Sequence, residues 1–516
     1  MILTSTLCLG LLAFQASGAF VGGVAPRQQP GMEEPATGAP QNSTNRDLRS
    51  ILSNPCVPWH SDTEVSFPED GDVFVNATLR WSSYATPSYV AAIAPANEDD
   101  VAQAVRLARQ NNLNFLATGG RHGYTSTYGR LRNGLAIDLS KLNSVSVDRD
   151  DATLTIGGGT IARQILRPVA EAGFELPIGG CSCPGMVGVT IAGGITNWLG
   201  TRGLLLDSLL HVRMVTSTGE IVEASETVNP ELFWGIRGAA HNFGIIVSAT
   251  FRLYPMADEM LMIETSWTAS MVEDYYQALA VVLEAEDPLL SANSIINWNP
   301  NTNETIVFGH FTYFGSHEAG LELLDPILRM NPPLRNDYSV AWTNYHRMTL
   351  FNMDEANCVP GLIHAPYGVL TKTVDIPTLM RAFHRMDDLF HEHPGARSSA
   401  VVFHSYRPDA ALAVPDDSTA FAWRDALNYM YVLLTWSPSN PEAGYAAIRA
   451  ASEVRNSFVQ TSGYDGHAAY MNFAQGDETI EQVYSVRKLP QLAELKATWD
   501  PDNVFRYHYP LPTSYP

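Results

Sequence analysis

Residues 118–123 read Thr118-Gly119-Gly120-Arg121-His122-Gly123, and residues 181–188 read Cys181-Ser182-Cys183-Pro184-Gly185-Met186-Val187-Gly188. The first run extends the apolar stretch Asn114–Thr118, whose pattern predicts a strand. Consecutive residues without bulky side chains let backbone N–H groups converge on an anion such as a pyrophosphate. His122 projects from that cradle. The second run lies in a long glycine-rich stretch from Gly179 to Gly203 and continues through Ala192-Gly193-Gly194. Its glycines permit close approach of a flat ligand, with a thiol at the entrance. A third segment, Phe233-Trp234-Gly235-Ile236-Arg237-Gly238-Ala239-Ala240-His241-Asn242-Phe243-Gly244, again mixes aromatics with glycine. His241 reads as structural or surface.

Outward from these segments the pattern is αβ from about Ser82. Tyr89–Ala94 predicts a strand, and Pro95 and Asn97 start a helix with Val101, Ala104, Val105 and Ala108 on one face. Leu135–Leu139, Thr153–Ile156, Leu209–Thr216, Glu220–Glu223 and Phe243–Tyr254 predict further strands, with a helix over Ile161–Ala172. Residues 256–464 change character. Ile306–Phe314, Ala400–Tyr406 and Asn428–Trp436 alternate aromatic or polar side chains, and helices are expected over Met271–Leu283 and Pro377–Phe390. This suits an antiparallel sheet with one face covered and one face lining a pocket. His310, Tyr313, His404, Tyr406, Tyr429 and Tyr431 lie on these strands, and some of them are expected to line that pocket. The tail carries a helix over Glu481–Ala493.

The 516 residues carry 54 carboxylates against 32 Lys and Arg, a formal charge of −22, with only 17% charged and 45% hydrophobic residues. That balance excludes a largely disordered chain. A duplex-binding surface needs a basic footprint, so no nucleic-acid partner is expected. The lysines are Lys141, Lys372, Lys488 and Lys496, and no polybasic cluster could dock on a membrane. No metal site is expected. Residues 1–19 have the apolar core and small-residue boundary of a signal peptide, so secretion is expected. Residues 20–50, rich in Pro, Gly, Gln and Asn, read as a flexible leader. Sequons at Asn42, Asn76 and Asn303 offer sites for N-glycans. Signal cleavage would remove Cys8 and leave Cys56, Cys181, Cys183 and Cys358. Two disulfides would be the default for a secreted chain, although Cys181 and Cys183 are too close to pair easily with each other.

One motif points elsewhere. Gly157-x-Gly159-x-x-Ala162 follows a predicted strand and opens a helix, and Glu175 lies near the place of a ribose-binding acid. This matches a dinucleotide fingerprint and would make the chain a nicotinamide dehydrogenase. The helix is followed by glycines and cysteines rather than a clean second parallel strand, so a tight strand-to-helix turn is the expected reading.

The order and spacing of the three glycine-containing segments resemble the FAD-linked oxidases of the vanillyl-alcohol-oxidase type, in particular the berberine-bridge-enzyme-like branch. The resemblance covers about residues 82–255 and 465–510. It includes Leu232-Phe233-Trp234-Gly235-x-Arg237-Gly238, Tyr470-Met471-Asn472 and Asp500-Pro501-Asp502-Asn503-Val504-Phe505. It implies an α+β chain with a two-domain FAD-binding PCMH-type fold. The FAD domain would span 51–255 and be completed by 465–516, with an antiparallel-sheet substrate domain over 256–464.

The resemblance further implies FAD attached at His122, through its 8α-methyl, and at Cys181, through carbon 6 of the ring. Cys183 competes for the second role. The family spacing Cys-x-x-x-Gly-x-x-Gly is met by Cys181, Gly185 and Gly188, whereas Cys183 would place Val187 at the first glycine. Gly119, Gly120, Arg121, Gly123 and Asn472 are expected to contact the cofactor, and Tyr470 to act in catalysis. That leaves Cys56, Cys183 and Cys358 for at most one disulfide. Two departures stand out. The family loop reads Arg-x-Gly-Gly-His, but here Arg121 directly precedes the histidine. The later Gly-Gly-Gly-x-Gly is reduced to Ala192-Gly193-Gly194-Ile195-Thr196. The implied reaction removes hydride from an alcohol, a sugar or a secondary metabolite, with dioxygen as acceptor and hydrogen peroxide as product. The alternatives are an oxidative cyclase or dehydrogenase of a natural-product pathway, and a non-catalytic glycoprotein that retains the fold.

Overall fold

A computed structural model describes residues 48–257 and 259–516. The signal peptide, the leader up to residue 47, Cys8 and Asn42 lie outside the described residues. The expected leader ends earlier than residue 50: Leu48–Leu52 is helical, and Leu52 is buried in the first domain's core.

The first sheet holds β1 (Glu64–Ser66), β2 (Tyr89–Ala94), β3 (Phe115–Thr118) and β4 (Gly134–Asp138) in the order β1-β2-β4-β3. Strands β2, β4 and β3 are parallel. Parallel strands covered on both faces favour continuous apolar runs, as in the buried Ala91–Ala94 of β2. The helix Glu98–Gln110 links β2 to β3. Asn97 caps it by accepting the Asp100 N–H at 2.9 Å, and three acidic residues fill its first turn.

The second sheet is antiparallel and holds β5 (Val145–Asp148) and β6 (Thr153–Gly157). After β7 (Phe174–Glu175) it continues with β8 (Leu209–Thr216), β9 (Ile221–Ser225) and β10 (Gly244–Arg252). The order is β5-β6-β10-β8-β9, and β11 (Tyr254–Pro255) pairs with β7. This topology removes the dinucleotide reading, because β6 has antiparallel neighbours on both sides. Its glycines serve close crossings instead. A Cβ on Gly157 would lie 2.2 Å from the Leu142 carbonyl oxygen, and one on Gly159 1.9 Å from that of Leu139. Glu175 is buried, and its carboxylate accepts the Ala257 N–H at 3.1 Å.

The third sheet is built from β12 (Met260–Thr268), β13 (Leu290–Asn299), β14 (Glu304–Tyr313), β15 (Leu334–Val340), β16 (Ala365–Thr371), β17 (Ala400–Tyr406) and β18 (Asn428–Leu434). Its order is β15-β12-β14-β13-β17-β18-β16, antiparallel throughout. Alternate residues separate cleanly. Val401, Phe403, Met430 and Val432 pack under the helices Val272–Leu283, Ile376–Glu392 and Pro441–Gln460. His404, Tyr406 and Tyr431 face the first domain. The expected α+β architecture is therefore present.

The glycine-rich stretch 179–203 contains the helices Met186–Ile191 and Leu199–Arg202. One local expectation fails. The tail helix expected over Glu481–Ala493 is two helices, Ile480–Tyr484 and Leu489–Trp499, broken at Ser485 with φ 61°. Pro490 sits in the first turn of the second helix, where its missing N–H does no harm; inside a continuous helix it would remove a hydrogen bond.

After Leu489–Trp499 the chain is pinned by a buried pair. Lys496 Nζ lies 2.6 Å from the Asp500 carboxylate and donates to the carbonyls of Asn242 and Phe505 at 3.1 and 2.9 Å. Asp500 also accepts the N–H groups of Val504 and Phe505 at 2.8 and 2.9 Å. Both side chains have no solvent exposure. Asp500→Ala strands a buried ammonium, so it is expected to cost about 3–5 kcal/mol. Urea unfolding measures this, and an unchanged midpoint would contradict it.

Candidate active site

The loop after β3 touches two other glycine segments. A Cβ on Gly120 would lie 2.3 Å from the Gly185 nitrogen, and one on Gly119 2.8 Å from the Gly158 oxygen. The approach is backbone to backbone and leaves no room for side chains. Arg121 next takes φ 58° without being glycine. Its guanidinium pairs with Asp138 at 3.2 Å and donates to the Asn76 carbonyl, which holds the loop in that conformation. His122 follows, its ring stacked on Trp81 at 5.1 Å and 22°. The other partner in the stack is His364, 3.9 Å from Trp81. Burial, with Arg80 and His364 nearby, lowers His122 to about 4, so its imidazole is neutral at ordinary pH.

The cysteine segment lies opposite. Cys183 is bonded to Cys358, so the free thiols among the described residues are Cys181 and the exposed Cys56. The competition between Cys181 and Cys183 ends there, because a sulfur in a disulfide is not a nucleophile. Burial and the nearby Asp354 push the Cys181 thiol up to about 12. Asp354 also accepts the Ser182 N–H at 2.8 Å, tying the segment around Cys358 to the cysteine loop a second time.

Gly193 and Gly194 adopt φ 126° and 74°. A Cβ on Gly193 would lie 2.6 Å from the Phe421 ring and 3.2 Å from that of Tyr470, so these two glycines of the reduced motif are sterically required. The Tyr470 hydroxyl accepts the Gly194 N–H at 3.3 Å and Asn472 Nδ2 at 3.1 Å. Burial raises Tyr470 above its ordinary value, while the donors at Asn472, Ile195 and Gly194 oppose the rise. Among the described residues no carboxylate is hydrogen-bonded to this phenol.

These pieces enclose one cavity of about 490 Å³. Every residue expected at the site lines it: Gly119, Gly120, Arg121, His122, Gly123, Cys181, Gly185, Gly188, Tyr470 and Asn472. Of the middle-domain candidates, His404, Tyr406 and Tyr431 line it as well. The others do not. Tyr313 faces the helix layer and bonds Asp287 at 3.0 Å. His310 is buried behind the wall, 3.1 Å from the Thr349 hydroxyl and 3.5 Å from the Glu264 carboxylate. Tyr429 packs edge-on to Tyr470 beneath the lining. His241 belongs to the wall rather than the surface, and its Nε2 is 2.9 Å from the Tyr484 hydroxyl.

Several lining residues carried no signal in the sequence. Arg80, Trp81, Asn293, Thr349, Leu350 and His508 come from segments without a motif, and only the tertiary fold gathers them. Two of these bear on a ligand. Arg80 Nη1 and His508 Nδ1 are buried and have no hydrogen-bond partner among the described residues. An unpaired buried guanidinium nitrogen is costly, and a polar or anionic ligand group in the cavity would satisfy it. A glycine-walled cradle, unpaired donors, a neutral imidazole and a thiol on one cavity fit a flavin dinucleotide.

Comparison with known proteins agrees. Residues 90–225 match the family model described as FAD binding domain, and residues 469–512 match the one described as berberine and berberine like. FAD-linked oxidoreductase srdI of Neurospora crassa is 40% identical over 484 residues, covering 93% of this chain and 96% of that protein. FAD-linked oxidoreductase fogF of Aspergillus ruber is 40% identical over 478 residues, covering 91% and 95%. The chain belongs to the berberine-bridge-enzyme-like FAD-linked oxidoreductases. The fold matches Physcomitrella patens BBE-like 1 with a TM-score of 0.77 at 20% identity, covering 91% of this chain and 100% of that one. Glucooligosaccharide oxidase of Acremonium strictum matches with a TM-score of 0.78 at 21% identity, covering 92% and 100%. As a family member the chain is an FAD-binding oxidoreductase.

Two outcomes follow from this geometry. The Cys183–Cys358 bond closes a loop across a sequence separation of 175, so Cys183→Ser is expected to cost about 2–5 kcal/mol. Denaturant unfolding of oxidised wild type and variant measures it; coincident curves would refute it. The second outcome concerns acid. His122 and His364 are lowered to about 4, and His404 and His508 to about 3, all chiefly by burial. Below pH ~6.5 the unfolded histidines take up protons that the folded ones refuse. Stability of the chain before cofactor attachment is therefore full above pH ~6.5 and falls as the pH drops towards 4. Thermal midpoints across that range that stay flat would contradict this.

Proposed function

We propose that the protein carries FAD bonded covalently at both His122 and Cys181 and oxidises a hydroxyl-bearing substrate at its CH–OH group. The observation that carries this reading is the placement of a neutral imidazole and a thiol on one cavity, with the competing Cys183 sulfur withdrawn into a disulfide. In the Acremonium strictum glucooligosaccharide oxidase the cofactor is a 6-S-cysteinyl, 8α-N1-histidyl FAD, which supports the same double attachment here. Bound FAD supplies a two-electron acceptor for hydride, and dioxygen is the proposed final acceptor, giving hydrogen peroxide.

The protein's own residues do the rest. Arg80 and the glycine loops hold the dinucleotide. Tyr470 meets the substrate oxygen at the reacting end: with two N–H groups already pointing at its oxygen, its own O–H is free to turn into the cavity. The aromatic walls Tyr345, Tyr406 and Tyr431 suit a sugar ring or an aromatic alcohol. Secretion belongs to the same proposal. A disulfide is at home in an oxidising compartment, and Asn76 and Asn303 are exposed, as glycan sites must be.

Acid precipitation tests the attachment. Wild type is expected to give a yellow pellet, His122→Ala and Cys181→Ala each a flavin held by one remaining bond, and the double variant a colourless pellet. A colourless wild-type pellet would overturn the covalent reading. Peroxide release over a panel of sugars and aromatic alcohols tests the reaction class, and flavin left oxidised by all of them would refute it.

A further inference from the structure

The antiparallel register brings one polar side chain from each of four neighbouring strands into a transverse row. Glu264 on β12 is paired with His310 on β14, His310 with Asn293 on β13, and Asn293 with His404 on β17. Directly opposed residues point to the same face. That face is the one turned towards the FAD domain, and its last member, His404, reaches the cavity.

The two ring nitrogens of His404 have different surroundings. Nδ1 is hydrogen-bonded to Asn293 Oδ1, and it lies 3.0 Å from the Tyr406 hydroxyl. Tyr406 in turn donates to the same Oδ1 at 2.9 Å. An amide oxygen can only accept, so the contact fixes the proton on Nδ1. Nε2 is left as a lone-pair acceptor. It has no protein partner among the described residues and is not sealed off, so it opens on the cavity. Phe473 lies between it and Tyr470: its ring stacks near His404 at 6.1 Å and meets Tyr470 edge-on at 5.0 Å.

Tyr470, by contrast, is poorly equipped as a proton sink. It is a buried phenol with no carboxylate hydrogen-bonded to it among the described residues. We infer that His404 is the catalytic base of the reaction: with Nδ1–H held by Asn293, its Nε2 takes the proton of the substrate hydroxyl, and Tyr470 orients that hydroxyl. This rests on the proposed oxidation at CH–OH. In the step, the O–H bond breaks and its proton passes to Nε2. The electron pair left on oxygen closes the C=O bond as the C–H pair departs as hydride to the enzyme's FAD. His404 then returns its proton to solvent. Asn293 is the positioning residue for this base.

The titratable groups facing His404 are Tyr406 on its own strand, Tyr429 and Tyr431 on β18, and His310 beyond Asn293 with Glu264 behind it. None of them forms an ion pair with the ring. Burial keeps the imidazole neutral, with its Nε2 lone pair unprotonated, throughout the ordinary pH range.

Three measurements on the full-length holoprotein test this. First, long-range proton–nitrogen spectra, assigned by difference against His404→Gln, are expected to show the Nδ1–H tautomer; an Nε2–H tautomer would overturn the assignment, whatever the substrate. Second, anaerobic flavin bleaching by a substrate found in the peroxide panel is expected to slow about 10²–10⁴-fold in His404→Gln, with the covalent flavin spectrum unchanged. A wild-type rate in that variant would remove His404 from catalysis while leaving the oxidase reading intact. If wild type itself is bleached by nothing in the panel, the oxidase reading fails, and the base assignment falls with it. Third, Asn293→Asp places a carboxylate against Nδ1–H and raises the imidazole's affinity for protons. The acid limb of kcat/KM is expected to move up by about one pH unit or more, which a merely structural residue would not do. An unmoved limb would refute the role.

Discussion

The site depends on one steric constraint, the contact of three glycine segments that carry no side chains where they meet. Gly120 lies against Gly185 and Gly119 against Gly158, at distances that no Cβ could share. This contact brings the loop after β3, the turn after β6 and the cysteine segment together. It therefore decides that His122 and Cys181 line one cavity. The glycines give up conformational entropy on ordering, and the ion pair from Arg121 to Asp138 and the Cys183–Cys358 bond are placed to offset that loss.

The disulfide has a second consequence. It joins the cysteine segment of the first domain to the chain between β15 and β16 of the substrate domain, and the same stretch contributes Tyr345, Thr349 and Leu350 to the cavity wall. Leu350, Phe351 and Asn352 all have positive φ, a conformation that residues with side chains adopt reluctantly. Glu264 accepts the Phe351 N–H and steadies this turn from below. The wall of the site is thus held covalently on one side and by a buried carboxylate on the other. That carboxylate is also the far member of the polar row ending in His404.

Local motifs made the cofactor half of this site legible in the sequence. His122, Cys181 and the glycines sit in short segments whose spacing is set by backbone contacts, so a linear pattern records them. The fold class was legible for the same reason: the period of apolar residues changes where parallel strands and helices give way to the antiparallel sheet. The substrate half was not legible. Glu264, His310, Asn293 and His404 are neighbours only because β12, β14, β13 and β17 lie side by side, and strand order is a long-range property that no local pattern encodes. The polar members of such strands look alike, which is why Tyr313 and His404 could not be separated before their faces were known. Trp81 and Arg80 were missed because they precede the first predicted strand and touch His122 and the cavity only across the fold.

Depth explains how the two halves work together. The same burial that lowers His122 and His404 raises Tyr470 and Cys181. Every one of these groups is thereby pushed towards its neutral form. A neutral imidazole has a lone pair to give, and a neutral phenol has a proton to donate in a hydrogen bond. A site with no fixed charge at its reacting end can admit an uncharged alcohol without a large desolvation penalty. Its selectivity must then come from the direction of lone pairs and O–H bonds rather than from ionic attraction. The hydrogen bond that His404 donates to Asn293, and those that Gly194 and Asn472 donate to Tyr470, fix those directions. The net charge of −22 lies outside this chemistry: it bears on solubility, while the reaction is left to groups that burial has made neutral.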